Sequence, residues 1–225
     1  MTTEFWLENW KNNKIGFHQQ AINSHLLSFW QQLNIALTSS VFVPLCGKSL
    51  DLLWLSEQGH NVIGIEISEL AICDFFTENR LNYSKLKQDN FYRWEAEQLT
   101  IWQGDFFNLK ANHLQDVEGV FDRASLVALP IELRQKYAQH LKQILPIKAK
   151  LLLVTFEYQQ SEMNGPPFSV HESEVYELYA DHYKIKLLLK KDVLADYPQF
   201  KNIGIKDLQE KIYLLEPITQ SFLPR

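Results

Sequence analysis

The sequence predicts a doubly wound, mostly parallel α/β sheet, and three observations carry that prediction. The apolar run Val41-Phe-Val-Pro-Leu45 breaks abruptly at Cys46-Gly47-Lys48-Ser49 and passes at once into a helical pattern. A second run, Asn61-Val-Ile-Gly-Ile-Glu-Ile67, repeats the plan, with Ser68 placed as a helix cap. Lys150-Leu-Leu-Leu-Val-Thr-Phe156 is almost wholly apolar, as a strand covered on both faces must be. Strand, helix, strand, helix in that order is a βαβ unit, whose strands are parallel neighbours joined right-handedly.

Before the first strand, Phe5, Trp6 and Trp10 surround a polar stretch, and Ile22, Leu26, Phe29, Trp30, Leu33 and Leu37 recur at helical spacing. The helix after the Cys46 loop carries Leu52, Leu53 and Leu55 and stops at Gly59, a fitting residue for a left-handed cap. The next helix spans Ser68 to about Asn79, with Ile72, Phe75 and Phe76 inward. Tyr83 to Arg93 is polar and aperiodic and reads as a surface insertion with a short strand after it. Leu99–Gln103 and Gly119–Asp122 read as further strands, and Pro130 opens a helix with Ile131, Tyr137, Leu141 and Ile144 on one face. A loop around Gly165-Pro166-Pro167 precedes a helix from Glu172 to Ala180. The last strands, Lys184–Leu189 and Lys211–Leu215, lack a crossover helix of usual length and predict a hairpin.

Composition narrows the partners. With 225 residues, 46% of them hydrophobic, the chain can bury one substantial core. A net charge of −5 argues against a nucleic acid held through its phosphates and against an acidic membrane surface. Cys46 and Cys73 are the only cysteines, which fits a reducing, cytoplasmic setting. The seven histidines are scattered without metal-ligand spacing, so no metal is expected. No signal peptide or membrane span is read from the sequence.

The Cys46 loop lies at the carboxyl end of a strand, where open α/β sheets collect ligands. Three nucleotide readings compete for it. Gly47-Lys48-Ser49 matches the end of a P-loop, but Phe42 stands where its first glycine belongs. A dinucleotide fingerprint fails too, because Pro44 and Leu45 fill the turn and only Gly47 is present. The third reading uses Glu66 at the end of the second strand, an acid that can accept from two ribose hydroxyls. That geometry serves NAD and S-adenosylmethionine enzymes alike.

The runs Phe42-Val-Pro-Leu-Cys-Gly-Lys-Ser49, Trp54-Leu55, Gln58-Gly-His60, Gly64-Ile-Glu-Ile-Ser-Glu-Leu70 and Phe75-Phe-Thr-Glu78 resemble the thiopurine S-methyltransferase family. So do Asp122-Arg123-Ala124, Gly165-Pro-Pro-Phe168 and Glu210-Lys-Ile-Tyr-Leu-Leu215, and the resemblance covers Trp6 to about Leu215. It implies a class I methyltransferase sheet of seven strands with an antiparallel edge hairpin. The expected organisation is one domain over residues 1–225, with 1–37 an N-terminal helical lid and 41–216 the sheet core.

The resemblance also implies S-adenosylmethionine as methyl donor, bound by Trp10, Leu45, Glu66 and Arg123, with Asp105 and Phe106 flanking its adenine. Trp10 would cover the sulfonium, since an aromatic face attracts cationic character. Arg123 would offer a fixed fork to an anion, either the cofactor carboxylate or a substrate thiolate. Phe17 and Phe168 fall on positions bordering the substrate. Read without the family, Trp10 and Phe106 are equally core anchors, and Arg123 a local ion pair with Asp122. Relatives often carry a second arginine in the loop before the last strand, where this chain has Gln199 and Lys201.

The expected activity is methyl transfer from S-adenosylmethionine to the sulfur of an aromatic or heterocyclic thiol, by a monomer acting on a small molecule. No catalytic acid or nucleophile is assigned, because holding the two reactants in line can itself supply several kcal/mol. The same cofactor site would suit a methyltransferase of sulfide, selenium or tellurium species, or a cofactor-binding regulator without turnover.

Overall fold

A computed structural model describes residues 2–218; residues 1 and 219–225 of the 1–225 assignment lie outside the described residues. The chain opens with α1 (Thr3–Lys11), of which only Trp10 is buried. The helix expected over 22–37 is shorter: α2 (Ser24–Phe29) tightens into a 3₁₀ turn over Trp30–Leu33. Two caps set those ends. The Asn23 side chain accepts from the N–H groups of His25 and Leu26, and Asn34 turns left-handed at φ 48°. Leu37 is therefore left 68% exposed, outside the face it was expected to share.

Then follow β1 (Ser40–Val43), α3 (Asp51–Glu57), β2 (Asn61–Glu66) and α4 (Glu69–Glu78), the last capped by the Ser68 hydroxyl. β3 (Ser84–Gln88), β4 (Phe91–Ala96) and β5 (Leu99–Gln103) form an antiparallel meander. The segment expected as a surface insertion is thus a hairpin on the sheet. Its register is fixed by Trp94, packed on Phe76, and by Phe91, packed on Trp102. β3 itself is polar and exposed, as an edge strand can be.

β6 (Val117–Asp122), α5 (Ile131–Ile144), β7 (Lys150–Glu157), α6 (Glu172–Tyr179), β8 (Tyr183–Asp192), α7 (Pro198–Asn202) and β9 (Gln209–Pro217) follow among the described residues. α5 buries Tyr137, Leu141 and Ile144 as expected, but Ile131 is 61% exposed and Arg134 takes a buried place, donating to the Ser169 carbonyl.

The sheet runs β3-β4-β5-β2-β1-β6-β7-β9-β8. Its centre from β5 to β7 is parallel, and antiparallel pairs close both edges. Nine strands replace the expected seven because β3 and β4 add to the β5 edge. The terminal pair is antiparallel as expected, although the 193–208 connection between β8 and β9 carries α7. Alternation along the strands builds two cores. Phe42, Val120, Leu151 and Leu153 face α5 and α6, while Val41, Val43, Phe121 and Leu152 face the helices of the other layer. Among the described residues no helix is long and apolar enough to cross a membrane.

Candidate functional site

A cavity of about 430 Å³ opens at the carboxyl ends of the parallel strands, the size range of small-molecule sites. Its floor is the loop after β1. Leu45 and Gly47 both turn left-handed there, at φ 43° and 53°. For leucine that conformation costs about 1–2 kcal/mol, so the surroundings must hold it. They do: the Cys46 N–H donates to Ile65 O at 2.9 Å, and the Ser125 hydroxyl donates to Pro44 O at 2.7 Å.

Glu66, at the end of β2, is 5% exposed. One carboxylate oxygen accepts from the Gly47 N–H at 2.9 Å and the other from the Ser68 N–H at 2.8 Å. Burial pushes its pKa up, against the opposing pull of N–H groups from Ser68, Gly47 and Ile67. Each oxygen keeps acceptor capacity, so the group still suits a ligand with two neighbouring hydroxyls.

Trp10 closes over this floor. A Cβ at Gly47 would lie 3.0 Å from its indole, so glycine is what lets the ring settle there. Gly47→Ala should therefore cost about 1–2 kcal/mol through backbone strain alone and lift Trp10 off the loop. A lowered denaturant midpoint together with altered tryptophan fluorescence is the expected result.

Arg123 follows β6 but does not pair with Asp122. Its guanidinium donates to Phe17 O at 3.2 Å and stands 3.7 Å from Asp51. Asp51 accepts from the Asn23 N–H and the Ser49 hydroxyl, both at 2.8 Å. Arg123 thus ties the N-terminal segment to the β1 loop. Asp122 is fully buried instead and accepts from the N–H groups of Ser125 and Leu126 and from the Tyr137 hydroxyl. Lys48 turns to α4, 2.7 Å from Glu78 and 3.3 Å from Asp74, which removes it from any P-loop role. Cys46 sits so close to Gly64 that a Cβ there would be 2.7 Å from its sulfur, and burial pushes its thiol pKa well up, leaving it inert.

Five of the eight residues singled out in the sequence line the cavity: Trp10, Phe17, Leu45, Glu66 and Arg123. Three do not. Asp105 is exposed and caps a 3₁₀ turn through the Phe107 N–H. Phe106 is buried against Tyr137 and His140, at centroid distances of 4.8 and 5.1 Å. Phe168 folds back on Gly165 and donates its N–H to Val127 O, so that Pro166 and Pro167 take the wall. Gln199 lines the cavity, whereas Lys201 is exposed. The sequence reading missed Phe156, Tyr197, Phe200 and Glu210. Glu210 did leave a signal, as one of two adjacent charges just ahead of the apolar run Ile212–Leu215.

A parallel sheet with this order, a glycine-turned loop after its first strand and an acid ending the second define a class I S-adenosylmethionine-dependent methyltransferase. Solved structures agree on the fold. An S-adenosylmethionine-dependent methyltransferase from Anabaena variabilis superposes with a TM-score of 0.67 at 12% identity, over 96% of this chain and 95% of that one. The Burkholderia thailandensis 1,6-didemethyltoxoflavin-N1-methyltransferase, solved with 1,6-didemethyltoxoflavin and S-adenosylhomocysteine, gives 0.62 at 14% identity, over 95% and 87%. The family model of thiopurine S-methyltransferase matches residues 1–217. Thiopurine S-methyltransferase of Nitrosospira multiformis is 49% identical over 96% of this chain and 98% of its own length, and that of Pseudomonas paraeruginosa 45% over 96% and 99%. The chain belongs to the thiopurine S-methyltransferase family.

Proposed function

We propose that this chain methylates the sulfur of an aromatic or heterocyclic thiol at the cavity above Leu45 and Glu66. The observation that carries this reading is one cavity with two chemically distinct ends. A nucleoside-type end is formed by Leu45, Gly47 and Glu66 beneath Trp10 and Phe17, and an aromatic end by Phe156, Tyr197 and Phe200, whose rings pack on one another at 5.5 to 6.4 Å. The aromatic end favours a flat acceptor over sulfide, selenium or tellurium species, which need no such wall. When bound, S-adenosylmethionine supplies an electrophilic methyl on a sulfonium.

The chain's own residues bind, orient and exclude water. Glu66 accepts from the ribose, the loop backbone at Leu45 lies along the methionine part, and Trp10 covers the cationic end. Arg123 presents its charge where an anion would lie. Asp105 and Phe106 stand beside Gly104, whose N–H donates to Glu66 O at 2.9 Å. From that position they reach the adenine edge if the 105–107 turn shifts toward the cavity. Phe17 and the Pro166-Pro167 wall hold the acceptor, with Phe168 supporting the wall from behind. The working unit in this reading is a monomeric single domain in the reducing cytoplasm.

Of the 1–37 segment expected as a lid, α1 and the loop to Phe17 take that role, because Leu26, Trp30 and Leu33 further on are core residues. α1 buries only Trp10, and the segment is held by Arg123 on Phe17 and by edge-on contacts of Phe17 with Trp6 and Trp10 at 5.6 and 5.5 Å. S-Adenosylhomocysteine should therefore protect the exposed Lys11 and Lys14 from trypsin. Equal cleavage with and without it would reduce the segment to packing.

A further inference from the structure

Glu210 is a buried carboxylate apart from the residues that would hold the methyl donor. It lines the cavity on β9, opposite Phe156 of β7, and its side chain is only 7% exposed. His25 of α2 reaches across 185 residues of sequence to place Nε2 2.6 Å from Glu210 Oε2. Lys191, its cross-strand neighbour on β8, is engaged by Asp196 at 2.9 Å, and Lys211 beside it turns to Glu157 and Glu172. Among the described residues, Oε1 of Glu210 makes no hydrogen bond. One oxygen is fixed by the histidine and the other is left open, in a cavity whose near walls are Phe156, Tyr197 and Phe200.

That oxygen still reaches the solvent of the cavity, so a ligand that displaces the solvent is selected for an N–H of its own, because an acceptor buried by the ligand without a donor is penalised. Heterocyclic thiols with a ring nitrogen beside the carbon bearing sulfur exist largely as thiones, with the proton on nitrogen. We infer that Glu210, oriented by His25, accepts that ring N–H and takes its proton as the sulfur is methylated. The inference rests on the methyl-transfer reading and adds to it the residue that receives the ring proton. The balance is complete. The thione sulfur forms a bond to the methyl carbon while the methyl–sulfonium bond breaks, its electron pair staying on the donor's sulfur. The ring N–H pair moves into the ring, and the proton passes to Glu210 Oε1 and then to water as products leave. His25 is a positioning residue, since its Nε2–H holds Oε2 and leaves Oε1 for the acceptor.

The test compares an N–H heterocyclic thione with a carbocyclic aromatic thiol, which has no ring proton to give. In Glu210→Gln the ratio of kcat/KM for the thione over the carbocyclic thiol should fall about tenfold to a hundredfold. Calorimetry of the thione binding to the S-adenosylhomocysteine complex should show a loss of about tenfold, without a matching loss for the carbocyclic thiol. Glu210→Asp, which withdraws the carboxylate but keeps it, should give an intermediate ratio and covers the case in which the glutamine variant folds poorly. An unchanged ratio, or equal losses on both acceptors, overturns the assignment. Wild-type protein that turns over neither acceptor overturns the methyltransferase reading itself, and the role of Glu210 with it.

Discussion

Glu66→Ala should lower affinity for S-adenosylhomocysteine by about 1–3 kcal/mol, the cost of a charged hydrogen-bond acceptor missing from the ribose. It should also destabilise the empty protein, because the Gly47 and Ser68 N–H groups lose their acceptor at a buried site. Calorimetry and denaturant titration separate the two losses. The pH dependence gives a second handle. Since burial raises the folded pKa of Glu66, the folded protein binds more protons than the unfolded chain just above the ordinary carboxylate range. This group's contribution to stability therefore falls as pH rises through that window. Ribose hydroxyls favour the ionised form, so cofactor affinity should run the other way and weaken as pH drops through the raised pKa. Glu66→Gln should remove that acidic limb. A limb that persists in the variant would mean that another group controls it.

Asp122→Ala should be the most destabilising single change near the site, by about 3–5 kcal/mol. Its carboxylate takes three hydrogen bonds at 0% exposure, from Ser125 and Leu126 N–H at 3.2 Å and from the Tyr137 hydroxyl at 2.7 Å. Removing it orphans three buried donors and frees the turn that carries Arg123. The denaturant midpoint should drop with an unchanged m-value. Asp122→Asn, which keeps an acceptor oxygen, should lose less. An alanine variant within about 1 kcal/mol of wild type would show that water replaces the carboxylate without difficulty.

The pattern of legibility follows from what local sequence can encode. The β1 loop and Glu66 were readable because a break in an apolar run and an acid at a strand end are local signals. The β3–β4 hairpin was not, because β3 carries Ser84, Lys85, Lys87 and Gln88 and is a strand only through pairing with β4. The local alternative for Arg123, an ion pair with Asp122, does not form: Asp122 ends β6 inside the core, while Arg123 in the turn after it meets Asp51 and Phe17. The His25–Glu210 pair joins an early helix to the last strand, a contact that no periodicity announces.

The central claim is sulfur methylation at the cavity over Glu66. Mass spectrometry of a heterocyclic thiol incubated with the chain and S-adenosylmethionine tests it most directly. The expected products are the S-methyl thioether and one S-adenosylhomocysteine for each thioether formed. Tight binding of S-adenosylhomocysteine with no methylated product from any aromatic or heterocyclic thiol would contradict the claim and leave a cofactor-binding protein without turnover.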